Sequence, residues 1–215
     1  MLRKILRSRF GKRDEEGPRQ LSGPGDLAAG DLLTFKHRLL LPPEVQGQTF
    51  EVSAVGAYHF EDGLYAELTL DGTSGDRIYL GFDAADASEM SLSRTVPRSD
   101  VLRLFEENAF AALWDEDFAE LEVADALPRY EGWIASRYAQ TKKWAEGYYY
   151  DRDCRGETPS RLQDDDAEEL RCHECEDDTG RYGISVEVSA DGETEVFAEV
   201  NCPPDVIESM WPGEG

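Results

Sequence analysis

Soft metal ligands crowd together at Cys172-His173-Glu174-Cys175. Thiolate and imidazole groups two or three residues apart can share one tetrahedral zinc ion. The surrounding alternation predicts a strand, however, which sends Cys172 and Cys175 to opposite faces, whereas a zinc knuckle needs a tight turn between its ligands. Cys154 and Cys202 alone would have to complete the set, so buried or half-buried free thiols are the expectation. Asp151-Arg152-Asp153-Cys154-Arg155-Gly156 begins like a calcium loop, with acids at positions 1 and 3 and glycine at position 6. It fails at position 5, which is Arg155, and at position 12, where Leu162 replaces the bidentate glutamate.

Trp133, Trp144, Tyr148, Tyr149 and Tyr150 fall within a short segment. Trp133, Trp144 and Tyr149 could stack on a sugar, a base or the methylene chain of a polyamine. Helical spacing and alternation would equally place part of this group in a core. His37, His59 and His173 are far apart, and none accompanies a serine or cysteine nucleophile motif. Gly72-Thr73-Ser74-Gly75 lacks the lysine and following helix of a phosphate loop. No catalytic residue, cofactor or metal site is assigned on these grounds.

The elements that would position such groups are mostly strands. Alternating runs at 32–35, 49–58, 64–70, 77–82 and 90–94 are separated by turn signals such as Asp62-Gly63, Asp71-Gly72 and Ser74-Gly75. Further alternation at 170–176, 182–189 and 194–201 predicts a C-terminal three-stranded meander, and 118–123 a lone strand. Pro97 and Ser99-Asp100 predict a helix over 100–114, and a 3–4 period from Tyr130 to Thr141 predicts a second after Pro128, reaching Lys143. A short closing helix is expected over 204–210. The fold class is α+β: antiparallel meanders, small-barrel or sandwich-like, with two central helices and a short C-terminal one. Within a single globular domain at 31–215, the organisation is an N-terminal meander at 31–95, a helical middle at 98–145 and a C-terminal meander at 168–202.

Length and composition fit one packed domain: 215 residues, 40% hydrophobic and 10% aromatic. The formal charge of −24 conceals an asymmetry, since residues 1–13 hold six of the 22 basic residues and no acid. The rest of the chain should repel nucleic acid, and no direct nucleic-acid binding is expected. Lysine is scarce, and the acidic surface suits a salt-tolerant prokaryotic source. Leu2, Ile5, Leu6 and Phe10 share one helical face ringed by Arg3, Lys4, Arg7 and Arg9. That pattern predicts a peripheral contact with an anionic membrane, or an arm that docks on a partner, and residues 14–30 then read as a linker. No uninterrupted apolar run reaches the length of a signal peptide or membrane span, so a cytoplasmic location, at the inner face of the membrane, is expected.

Gly63-Leu64-Tyr65-Ala66-Glu67-Leu68-Thr69-Leu70 with Ile78-Tyr79-Leu80-Gly81-Phe82, and Arg181 to Val188 leading through Glu195-Val196-Phe197 to Pro203-Pro204, resemble half-modules of an uncharacterised bacterial β-rich family. Its members are encoded beside phage-shock-type membrane-maintenance proteins, small membrane proteins and polyamine-related enzymes. The resemblance implies an accessory role near the membrane and supplies no catalytic residues. The leading expectation is therefore a non-enzymatic accessory or adaptor protein, attached through residues 1–13 and contacting a protein partner. A second is an orphan enzyme or small-ligand binder, with a cation as one candidate ligand, using the aromatic segment and nearby carboxylates; it requires a deep pocket lined by Trp133, Trp144 or Tyr149 with converging acids, and a solid core there excludes it. A third is an acidic mimic of nucleic acid, which requires carboxylates in phosphate-like rows.

Overall fold

A computed structural model of the chain describes residues 19–158, 162 and 167–213. The basic segment 1–13 lies outside the described residues.

Among the described residues eleven antiparallel strands make one sheet. In chain order they are β1 (Leu32–Phe35), β2 (Thr49–Phe60), β3 (Gly63–Gly72), β4 (Arg77–Asp83), β5 (Met90–Thr95), β6 (Glu120–Glu122), β7 (Arg137–Tyr150), β8 (Glu168–Glu176), β9 (Tyr182–Ser189), β10 (Thr194–Cys202) and β11 (Ile207–Trp211). Two four-stranded meanders, β2 to β5 and β7 to β10, form the body. They are joined at two seams. Six residue pairs link β5 to β10, from Thr95 and Phe197 to Met90 and Cys202. Four pairs link β2 to β7, from Ala57 and Tyr150 to Phe60 and Gly147. The eight strands thus close into a ring. The first part of β2 pairs instead with β1, which carries β11 on its far side, and β6 lies beside the start of β7.

Alternation supplies the two faces of the ring. In β3, Leu64, Ala66, Leu68 and Leu70 are buried while Tyr65, Glu67 and Thr69 between them point the other way. The apolar face is the outer one. Leu68, Leu80, Leu92, Val186 and Val200 pack there beneath Leu27, Val45, Leu104 and Trp133. A smaller outer cluster gathers Ala57, Leu64, Tyr150 and Cys154. Within the stretch expected to be a linker, Pro24–Asp26 form a 3-10 turn and Leu27 is fully buried. Buried Asp31 accepts from the backbone N–H of Ala28 at 2.8 Å and of Gly213 at 2.9 Å, tying together two distant parts of the chain.

The structure is mostly β and holds less helix than the sequence suggests. The expected helix over 100–114 is two short ones, α1 (Arg98–Leu104) and α2 (Glu107–Ala111), ending in a 3-10 turn at Ala112–Trp114. Phe105 breaks it by taking extended backbone and bridging Val123, with its ring buried. Glu106 then caps α2, accepting from the N–H of Ala109 at 3.1 Å.

The second expected helix is overturned. After a single 3-10 turn at Pro128–Tyr130, Gly132 takes φ +78°, a left-handed conformation that ends any helix. A side chain there would also stand 3.0 Å from Pro42 Cα. From Arg137 the chain runs as β7, whose partner β8 lies far off in sequence and was invisible to local periodicity. Tyr130, Trp133 and Tyr138 are buried as their spacing suggests, but on a turn and a strand. The closing helix is likewise replaced, by a 3-10 turn at Pro204–Val206 and then β11, because β1 offers a free edge that Ile207 to Trp211 completes.

Candidate ligand-binding site

The inner face of the ring is polar and built from small residues around a few large ones. Glu67 lies opposite Gly56 on one side and Gly81 on the other. Glu199 lies between Ser93 and Gly183, and Phe197 opposite Ser185. The glycines are spatial requirements: a Cβ at Gly56 would stand 2.5 Å from the Tyr149 hydroxyl, and one at Gly183 3.1 Å from a Glu199 carboxylate oxygen. Large neighbours would fill this interior. Instead it holds a cavity of about 920 Å³ lined from all eight strands of the ring. Exposed Asp83, Asp86, Glu89 and Glu176 mark its mouth.

Tyr58, Phe60, Tyr65 and Phe197 supply its aromatic wall, and Glu67, Glu174, Glu187 and Glu199 its carboxylates. The Tyr58 hydroxyl donates to Glu187 at 3.2 Å, across the ring between strands that are not neighbours. Glu67 and Glu199 have no hydrogen bond or ion pair among the described residues. Desolvation, with Glu199 and Glu195 nearby, pushes the Glu67 carboxyl up to about 8. Desolvation and Glu67 push Glu187 up to about 8 despite the Tyr58 hydrogen bond. Glu199 is pushed up to about 8 by desolvation, then by Glu174 and Glu187. The cation lining the cavity, Lys142, is already engaged, with Nζ 3.2 Å from Glu174 and 3.3 Å from Asp62.

Beyond a partition made by Tyr58, Glu67, Glu187 and Phe197 lies a second cavity of about 220 Å³. Tyr79, Tyr149 and Leu170 wall it, and exposed Glu168, Glu193 and Glu195 surround its opening.

No family model, curated protein or solved structure matches this chain. The site therefore has to be understood from its own chemistry.

The residues singled out in the sequence are scattered. Cys172 points inward against Ser185, 3.3 Å away, and burial pushes its thiol up. Cys175 and Cys202 are in the outer core, Cys202 also bordering the large cavity, and Cys154 is in the smaller cluster; all four are free thiols. Among the described residues no three His, Cys, Asp or Glu side chains are grouped so as to hold a metal ion. His173 faces outward, fully buried between Trp114 and Trp144, with Nδ1 3.2 Å from the Gln140 amide. Of the three aromatic candidates Trp133 is core, Trp144 lies on the outside at 39% exposure, and Tyr149 alone lines a cavity.

Trp144 adopts φ +53°, where a β-bulge in β7 shifts the register between Lys142 and Ala145. The extra residue turns Lys143 and Trp144 outward while Lys142 and Ala145 stay opposite Glu174 and Cys172. The acids of the inner face were not singled out in the sequence. Their signal was there: Glu67, Glu187 and Glu199 sit in strand phases shared with glycine and serine, and ring closure turns those phases inward.

Proposed function

We propose that this protein binds a small organic cation inside its ring. The observation that carries the reading is an interior of some 920 Å³ faced by Glu67 and Glu199, neither of which has a hydrogen bond or ion pair among the described residues, the charge of Lys142 only partly offsetting the acids around Glu199. Burying carboxylates without compensation is costly, and the empty site meets the cost by holding protons. A bound ammonium group replaces those protons and gains cation–π contact with Tyr58, Tyr65 and Phe197. The carboxylates line a wide space and do not converge as ion ligands do, which favours an organic cation over a bare divalent metal.

Calorimetric titration at pH 8.5, where the interior carboxylates are mostly ionised, tests this. Butylammonium is expected to bind and butanol and butyrate not to, and the Glu67→Gln, Glu199→Gln variant to lose at least tenfold in affinity. Equal behaviour of butylammonium and butanol would sink the reading.

Residues 1–13 support a second, compatible reading, peripheral attachment to an anionic membrane, with the acidic body held off the lipid by repulsion. No helix among the described residues is long and apolar enough to cross a membrane. The full chain should float with vesicles containing anionic lipid at low salt, and a chain beginning at Asp14 should not. Equal partition of the two would remove the anchor.

A further inference from the structure

We infer that the ligand of the large cavity is an amino sugar, a cation that also carries a rim of hydroxyls. This rests on the interior of the strand ring being a cation site and specifies what it selects.

One sector of the interior, from β3 through β4 and β5 to β10, pairs carboxylates with hydroxyls. Glu67 on β3 lies opposite Gly81 on β4, and Gly81 opposite Ser91 on β5. A Cβ at Gly81 would stand 3.0 Å from the Ser91 hydroxyl, so that hydroxyl leans over the glycine, into the gap left between Ser91 and Glu67. Two residues further along β5, and ~7 Å away by strand geometry, Ser93 lies directly opposite Glu199 on β10. All four side chains line the large cavity, and none of them hydrogen-bonds to another protein group among the described residues. The opposite wall comes from β2, which lies across the ring from β10. Tyr58 and Phe60 stand there with ring planes parallel to within 6° and centroids 6.1 Å apart, and Tyr65 continues the wall at 6.3 Å from Phe60.

This arrangement discriminates among cations. An ammonium group on a plain alkyl chain would meet one carboxylate and press methylenes against Ser91, Ser93 and the second carboxylate, which then lose water without gaining partners. A sugar offers its hydroxyls to those groups, since a carboxylate accepts from a hydroxyl and a serine donates or accepts. The C–H face of the sugar covers the aromatic wall, and its ammonium group brings the charge that Glu67 and Glu199 lack. Acidic sugars are disfavoured, because Lys142, the cation of the lining, is already held by Glu174 and Asp62. Size agrees: about 920 Å³ lies within the range of ligand pockets, roughly 300–1,000 Å³, and a short alkylammonium would leave most of it to water.

The deciding experiment titrates the full chain at pH 8.5 with three probes built on a six-membered ring. Methyl 6-amino-6-deoxyglycosides carry both cation and hydroxyls, cyclohexylmethylammonium keeps only the cation, and methyl glycosides keep only the hydroxyls. The sugars are taken in gluco, galacto and manno configuration. The best amino sugar is expected to bind about tenfold or more tighter than cyclohexylmethylammonium, the worth of a few hydrogen bonds, and the methyl glycosides to bind far more weakly than the amino sugars. The Ser91→Ala, Ser93→Ala variant should keep its unfolding midpoint and its affinity for cyclohexylmethylammonium while losing most of the amino sugar's advantage. Cyclohexylmethylammonium binding as tightly as every amino sugar, or an advantage that survives the double substitution, would overturn the amino sugar while leaving the cation site standing. Methyl glycosides as tight as the amino sugars would remove the cation site and the amino sugar with it. If none of the three binds, both readings fall together.

Discussion

The ligand-free protein should lose thermal stability as the pH is raised from 5 to 9, with the steepest loss between about 5.5 and 7. Glu67, Glu187 and Glu199 ionise near 4.5 in an unfolded chain and at about 8 in the folded one. Below 4.5 both states hold these protons and the stabilising contribution is complete. Between the two values the folded chain binds more protons than the unfolded one, so each unit of pH favours unfolding. Above 8 both states are ionised and the loss levels off.

The opposite trend belongs to Asp71, Asp153, Asp177 and Asp191, held below the usual carboxylate range by hydrogen bonds to Arg77, Arg155, Thr179 and Ser189 respectively, against some desolvation. Their contribution is present above about pH 4 and is lost only in stronger acid. These groups are largely at the surface and their effect is small. Maximal stability should therefore lie near pH 5, with a fall in the unfolding midpoint of roughly 5–10 °C by pH 9. General repulsion among surface acids also grows with pH, so the diagnostic comparison is the Glu67→Gln, Glu199→Gln variant. It should flatten the profile and be more stable than the parent at pH 9. A slope that the variant leaves unchanged would show that the interior carboxylates are not its source.

Replacing Trp133 by alanine should cost about 3–5 kcal/mol, the upper range for truncation of a buried aromatic. Trp133 is fully buried, and its indole N–H donates to Glu44 at 2.5 Å. Arg94 binds the same carboxylate at 2.7 Å, with its guanidinium over the Trp133 and Tyr130 rings. Truncation removes the largest fully buried side chain of the outer core and one donor to Glu44, at the place where the 36–48 segment is held against the ring. Urea unfolding should show the midpoint displaced by this amount. Trp144→Ala, at a half-exposed position with left-handed backbone, should cost less than about 1 kcal/mol. Similar losses for the two tryptophans would contradict the core assignment.

These two residues also show what local sequence could and could not convey. Trp133 was recognisable as apolar and periodic with Tyr130 and Tyr138, so its burial could be anticipated. Its backbone could not, because the strand that follows owes its existence to β8 and β2, which are remote in sequence. The runs β2 to β5 and β8 to β10 were legible because each strand in them meets its neighbour across a short connection and shows a period of two. Closure of the sheet left no local mark. Glu67 looks like a solvent-facing member of an amphipathic strand, and it is one until β2 meets β7 and the wet face becomes an interior. A glutamate phase shared with Gly56, Gly81 and Gly183 is the trace such an interior leaves, and it can be recognised only once register is known.

The two seams make the molecule a pair of leaves with unequal joints. The six-pair joint between β5 and β10 is the longer fastening, and the four-pair joint between β2 and β7 is a smaller latch. Phe60 lies so close over Gly147 that a Cβ there would stand 2.4 Å from its ring, so the latch tolerates no side chain at that position. Tyr58 and Glu67 belong to one leaf, Glu187 and Glu199 to the other. A cation bound between them, as proposed, would touch both leaves at once as a non-covalent staple, and its binding would then strengthen closure of the latch.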